Sequence, residues 1–316
     1  CTAQDTTPVL PHLADAAASE APSASEPAAS PRIRRFAALE GEYVAGLESI
    51  ARRHGVAAGQ SPREAAGAGG HRGAEGPFDV APLAAYLAEA DAHDVAMTGR
   101  VSASGCLSGV PADAAGVATL LAAWSAAEAR LGARASPSEG RDAQLAAVAP
   151  RPAPPQLRLG CSSALSAARA AGCRLGVLSV NWCPALIHAV LGEARPFELW
   201  CNSIDEAGRI TVRIGGAEDK RSAMSRLRRE RRDGDGPVVY IGDSSTDLLA
   251  LLEADAGILI GESASVRRVA QAFGVSLRPL PDHPLGMHPG VGAIWEAATW
   301  DDIREFLFGA TRCRED

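Results

Sequence analysis

Three places in this chain put a polar or charged residue at the end of an apolar run or at the start of a helix, where it can act on a phosphate directly or through a metal. Ser179 follows the run 175–178 and opens Val180-Asn181-Trp182-Cys183-Pro184. A hydroxyl ahead of a helix start, with Asn181 as a second polar group, can hold an anion together with backbone amides. Lys220 stands in Gly216-Ala217-Glu218-Asp219-Lys220, where a helix opens, and an ammonium there neutralises a bound phosphate. After Val238-Val239-Tyr240-Ile241 comes Gly242-Asp243-Ser244-Ser245-Thr246-Asp247, a tight loop with two carboxylates four residues apart. Asp243 is aimed beyond the strand end, while Asp247 holds the loop or joins Asp243 in contacting a divalent metal. Hydroxyl, ammonium and carboxylate at successive element ends describe Mg2+-dependent phosphoryl chemistry.

Such residues need a scaffold that brings strand ends together. From about Leu157 onward, β-type runs at 174–180, 197–201, 210–214, 238–241 and 257–260 alternate with helical patterns. Those helices fall at 159–171, 184–191, 219–232, 246–254, 263–273 and 300–308. Pro184 suits a first helical position, and Thr246 and Ser263 suit N-caps. The alternation predicts an α/β fold with a doubly wound parallel, Rossmann-type sheet, whose ligands bind beyond the carboxyl ends of the strands. Gly208 predicts a hairpin-like excursion between the runs 197–201 and 210–214.

The first half reads as helical over 34–54, 80–93 and 114–131. Stretches rich in Ala, Ser, Pro and Gly at 16–31, 57–77 and 134–155 predict flexible inserts between these helices. The expected division is a short leading segment at 1–10, a mostly helical cap at 11–156 and an α/β core at 157–316.

Charge narrows the partners. Thirty-one Lys+Arg against 38 Asp+Glu leave a net charge of −7, so neither nucleic acid nor an anionic membrane is a default partner. The Arg-rich stretch 220–232 carries Glu230 and no interleaved aromatic residue, so it reads as a solvated helix face. No apolar run reaches membrane-spanning length. Seven cysteines without a C-x-x-C pair predict reduced thiols and an intracellular, cytoplasmic chain. His283 and His288 lack helical metal-site spacing, and the glycines of 67–76 lack a dinucleotide fingerprint, which excludes a nucleotide-dependent oxidoreductase. Trp182, Trp200, Trp295 and Trp300 are expected in the core.

The segments around Ser179, Lys220 and Asp243 resemble the second, third and fourth motifs of the haloacid dehalogenase (HAD) superfamily of phosphatases. Within it, the likeness is to the phosphatase domain of plant bifunctional thiamine-monophosphate phosphatase/TenA-type proteins and the related fungal group. It is carried by Leu178-Ser179-Val180-Asn181-Trp182-Cys183, by 216–220, and by the stretch from Val239 through Leu252-Glu253-Ala254-Asp255 to Phe273-Gly274-Val275-Ser276. The resemblance covers roughly 157–280 and implies phosphomonoester hydrolysis with an inserted helical cap. Ser179, Asn181 and Lys220 then hold the phosphoryl group, with Ser179 and Lys220 in catalytic roles, while Asp243 and Asp247 serve Mg2+. The substrate is a small phosphorylated metabolite, thiamine monophosphate by likeness.

One departure matters. The superfamily's Asp-x-Asp-x-Thr, whose two aspartates act as nucleophile and general acid, does not occur in the 316 residues. Cys1-Thr2-Ala3-Gln4-Asp5-Thr6-Thr7-Pro8-Val9 reads like the continuation of that motif. The expectation is a fragment, inactive as given, whose parent is the enzyme and whose first core strand is missing between those preceding Ser179 and Asp243. The alternative is an inactive module of the same fold that binds a metabolite or partner.

Overall fold

The computed structural model describes residues 10–11, 14, 30–56, 78–111, 113–134, 155–194, 198–281 and 289–309. Residues 1–9, His283, His288 and nearly all of the three stretches expected to be flexible lie outside them.

Helix α1 (Pro31–Arg53) starts where the sequence provides a start. The Ser30 hydroxyl accepts from the Ile33 amide at 3.2 Å, Pro31 takes the first turn, and Arg52 and Arg53 face the carbonyl end. Helix α2 (Ala81–Ser104) runs past the expected end at 93, because its apolar stripe continues through buried Met97 and Val101. It stops at Gly105, whose φ of 69° is the left-handed conformation of a helix C-terminus. Helix α3 (Ala114–Arg134) completes this layer. Phe36, Leu39, Met97 and Val101 share one buried cluster with Cys183, Ala185 and Leu186, so the helical layer is packed directly onto the second half.

That half is a mixed α/β structure. In order it contains α4 (Cys161–Ala170), β1 (Gly176–Ser179), α5 (Pro184–Leu191), β2 (Glu198–Cys201), β3 (Ser203–Ile204), β4 (Ile210–Thr211), α6 (Ala217–Glu230) and β5 (Val239–Gly242). Then follow α7 (Leu248–Glu253), β6 (Ala256–Ile260), α8 (Ala264–Ala272), β7 (Ser276–Pro279), β8 (Ala293–Ala297) and α9 (Trp300–Phe308). Four strands form a parallel sheet in the order β5-β6-β8-β7, a Rossmann-like arrangement. All five residues of β6 are buried, as an uninterrupted apolar run demands. Ile258 and Ile260 pack with Trp295, Trp300 and Phe306 on one face, whereas Leu259 and Ile294 meet Leu248 and Val266 on the other. Each such side chain stabilises by about 1.5–3 kcal/mol.

β1 and β2 pair in parallel as a separate two-stranded sheet, and no described strand lies between β1 and β5. The hairpin around Gly208 (φ 79°) exists, but its first arm is Ser203–Ile204 and not the run 197–201. Asn202, 2% exposed, separates the two strands and sends the chain from the parallel pair into the hairpin. Among the described residues, no helix is long and apolar enough to cross a membrane.

Candidate active site

A cavity of about 1640 Å³ runs along β1 and β5, from the segments that precede both strands to the loops that follow them. Ser179, Asn181, Lys220, Asp243 and Asp247 all line it, although 68 positions of sequence numbering separate the first from the last. The opposite wall belongs to α1 and α2.

Lys220 sits in the first turn of α6 at 4% exposure. Its Nζ donates to Asp247 Oδ1 at 2.7 Å and to Thr246 Oγ1 at 3.1 Å. The Tyr240 hydroxyl donates to the same Asp247 oxygen at 2.7 Å. Asp247 Oδ2 accepts from the amides of Asp243 (3.1 Å) and Ser244 (3.0 Å) and from Ser244 Oγ (2.9 Å). Both carboxylate oxygens are therefore engaged in holding the loop. Burial by itself raises this carboxyl's pKa, but the charge and hydrogen bond of Lys220, the Tyr240 hydroxyl and the Ser244 amide outweigh it and hold it at about 2. Ser244, in a reciprocal capping box with Asp247, caps the short 3-10 turn Ser245–Asp247 that leads into α7, so the cap is not Thr246. The loop folds back so tightly that a Cβ on Gly242 would stand 2.6 Å from that of Asp247, so only glycine fits there.

Two of the three ammonium N–H bonds of Lys220 are engaged by these contacts, and the third has no hydrogen-bond partner among the described residues. Removing either partner of so buried an ion pair strands the other charge. The local chemistry thus gives a preorganised cation at the strand ends, which is what anion binding needs.

Ser179 and Asn181 form two short turns. The Asn181 amide donates to Ser179 Oγ at 3.1 Å, and the Cys183 amide to Asn181 Oδ1 at 2.7 Å. These bonds bend the chain from β1 into α5 and leave the Ser179 hydroxyl proton available to a ligand. Asn202 then ties this turn to the approach of α6. Its Nδ2 donates to the carbonyls of Val180 (2.9 Å) and Ile214 (3.0 Å), and its Oδ1 accepts from the amides of Arg213 (2.7 Å) and Ile214 (2.8 Å). Ser179 and Lys220 are thereby held in mutual register.

Asp243 faces the cavity with one oxygen 3.0 Å from Arg158 Nη2. Among the described residues, no group of three His, Cys, Asp or Glu side chains gathers as a metal cage. Mg2+ rarely needs one, since it commonly takes one or two carboxylates with water and substrate phosphate oxygens. Asp243 fits that role, whereas Asp247 has both oxygens in use.

Several residues of the site have no signature in the sequence. Asp91 of α2 reaches across to α6, where its Oδ2 accepts from the Ala217 amide at 2.8 Å and the Glu218 amide at 3.4 Å. It caps the helix that carries Lys220 from a distant segment. Arg158, Tyr240 and Asn202 were equally silent, and so was Asp94, which lines the helical wall of the cavity. Arg228 of α6 and Arg231 just past its end are tied down on Asp255, at 3.0 and 2.7 Å. Trp295 and Trp300 are core residues, while Trp182 and Trp200 are half-buried.

No protein-family model matches the chain. It is 32% identical over 159 residues to the "Bifunctional TH2 protein, mitochondrial" of Arabidopsis thaliana, a match covering 43% of this chain and 26% of that protein. The chain therefore spans about a quarter of the length of the curated relative it matches.

Proposed function

We propose that the chain carries the phosphate-gripping part of a Mg2+-dependent phosphomonoesterase of the HAD type, acting on a small phosphorylated metabolite, with thiamine monophosphate as the favoured substrate. The observation that supports it is the convergence of Ser179, Lys220 and Asp243 on one cavity at the strand ends. The partial likeness to a bifunctional plant protein supports the same reading.

In this reading the free N–H of Lys220 and the Ser179 hydroxyl donate to non-bridging oxygens of the phosphoryl group. They grip it more firmly as charge develops there. Asp243 would hold Mg2+, which would supply further charge neutralisation at the phosphate. Asn202 and the Asp91 cap keep the two donors at fixed separation, and Asp247 keeps the Lys220 ammonium charged and in place. The covalent role belongs to the first aspartate of Asp-x-Asp-x-Thr, which the 316 residues lack. The chain as given is proposed to bind the ester without turning it over. A binding module is favoured instead by the Arg158–Asp243 contact, which engages one of the two carboxylate oxygens with a cation.

Two measurements separate these readings. Titration calorimetry with thiamine monophosphate and Mg2+ should give binding that S179A weakens about tenfold to a hundredfold, the value of one hydrogen bond to a charged group. Equal affinity in S179A and K220A removes the phosphate assignment. Extending the chain with a strand ending in Asp-x-Asp-x-Thr ahead of Cys1 should then produce hydrolysis, and a folded extended chain without it leaves the binding module.

A further inference from the structure

The cavity has a second polar point that phosphate does not explain. Its far wall, formed by α1 and α2, carries Phe36, Leu39 and Met97 beside the polar side chains of Glu40 and Thr98 and the carboxylate of Asp94. Tyr43 of α1 donates its hydroxyl to that carboxylate. Tyr43 is itself clamped, because its ring stacks on His93 at 5.7 Å with a 5° interplanar angle, and His93 Nε2 lies 3.0 Å from the Tyr43 carbonyl oxygen. The clamp depends on close helix packing, since any Cβ on Gly46 would overlap the His93 ring. A carboxylate accepts at about four positions, and Tyr43 uses one. Among the described residues Asp94 makes no ion pair, although Asp91 and His93 on its own helix, Tyr43 on α1 and Lys220 on α6 all act on it.

We propose that Asp94, positioned by Tyr43, recognises a cationic or N–H-donating nitrogen group on the alcohol part of the phosphomonoester whose phosphate is held by Ser179 and Lys220. This rests on the phosphoryl reading for the other end of the ligand. A half-buried carboxylate in this wall is costly unless something pairs with it. A ligand carrying a positive nitrogen meets that need, while a sugar or polyol phosphate does not. The cost is visible in the acidity: burial, reinforced by Asp91, pushes the Asp94 carboxyl up to about 6 despite the Tyr43 hydrogen bond and the charges of His93 and Lys220. At neutral pH the group is still mainly ionised, as cation recognition requires. The wall thus selects by charge as well as by shape.

The test is calorimetry on the full 316-residue chain with Mg2+, using inorganic phosphate, glycerol 3-phosphate, thiamine and thiamine monophosphate as probes. D94N should weaken thiamine and thiamine monophosphate about tenfold or more and leave the two nitrogen-free probes within about twofold. S179A should do the reverse, weakening the three phosphate-bearing probes and sparing thiamine. Equal losses for all four probes in D94N, no loss for any, or no thiamine binding by the parent chain would each overturn the inference. If S179A leaves phosphate binding intact, the phosphoryl reading fails alone, because the response of thiamine to D94N does not depend on it.

Discussion

Asp247 and Asp94 line one cavity and feel the same ammonium, yet their acidities move in opposite directions, to about 2 and about 6. At the strand ends, Asp247 is surrounded by donors: Lys220, Tyr240, and the amides of Asp243 and Ser244. In the helical wall, Asp94 has one hydroxyl and an acidic neighbour. Burial is common to both, so the number of local donors decides which form of the carboxyl the fold favours. The first environment is finished in the absence of ligand, and the second is completed by one.

The largest expected effect breaks the strand-end side of this contrast. K220M removes the ammonium and leaves Asp247 charged and buried, which should lower folding stability by about 3–5 kcal/mol in urea titrations at pH 7. A loss below about 1 kcal/mol would mean that the pair is screened and the site is not preorganised. The next effect has the opposite sign and tests the helical wall. Because the folded-state pKa of Asp94 lies above its ordinary value of 3.8, the stability it contributes is full below pH 4 and is lost as pH rises through about 6. D94N cannot ionise, so it should be more stable than the parent at pH 7 by about 1–2 kcal/mol, after allowance for screening in a half-buried position. That advantage should vanish at pH 4, and a D94N chain less stable than the parent at pH 7 would contradict the assignment. Asp247 behaves inversely: its contribution is present above about pH 4 and fades as pH falls through about 2. The smallest effect sharpens the contrast. Y240F deletes one of the donors to Asp247 and should cost about 1 kcal/mol at pH 7, measured in the same titrations, while raising the pH at which acid unfolding begins.

The strand-end residues were legible because their chemistry is punctuated by local structure. Ser179 and Asp243 each follow an apolar run and Lys220 opens a helix, so alternation alone predicts element ends for all three, and all three line the one cavity. The helical wall was not legible. Asp91 and Asp94 sit in an Ala-rich helix where any carboxylate reads as solvated, and only the crossing of α2 over α6 and the packing of α1 against α2 give them partners. Asn202 was hidden for a related reason, since all four of its bonds go to backbone groups that no side-chain pattern reveals. Strands β7 and β8 have no clear alternation in the sequence; β8 forms by pairing with buried β6, and β7, which ends at Pro279, forms as the edge strand on β8. The hairpin takes Ser203–Ile204 as its first arm because Glu198–Cys201 is already paired in parallel with Gly176–Ser179.

Asn202 has a consequence for ageing of the protein. An amide side chain offers two hydrogens and one oxygen, and here both sets are spent on main-chain groups of two different loops. Slow deamidation would replace the two hydrogens with a second, negatively charged oxygen, turned toward the carbonyls of Val180 and Ile214. The stitch would then become a wedge, and the serine and the lysine would drift apart without any change in either of them.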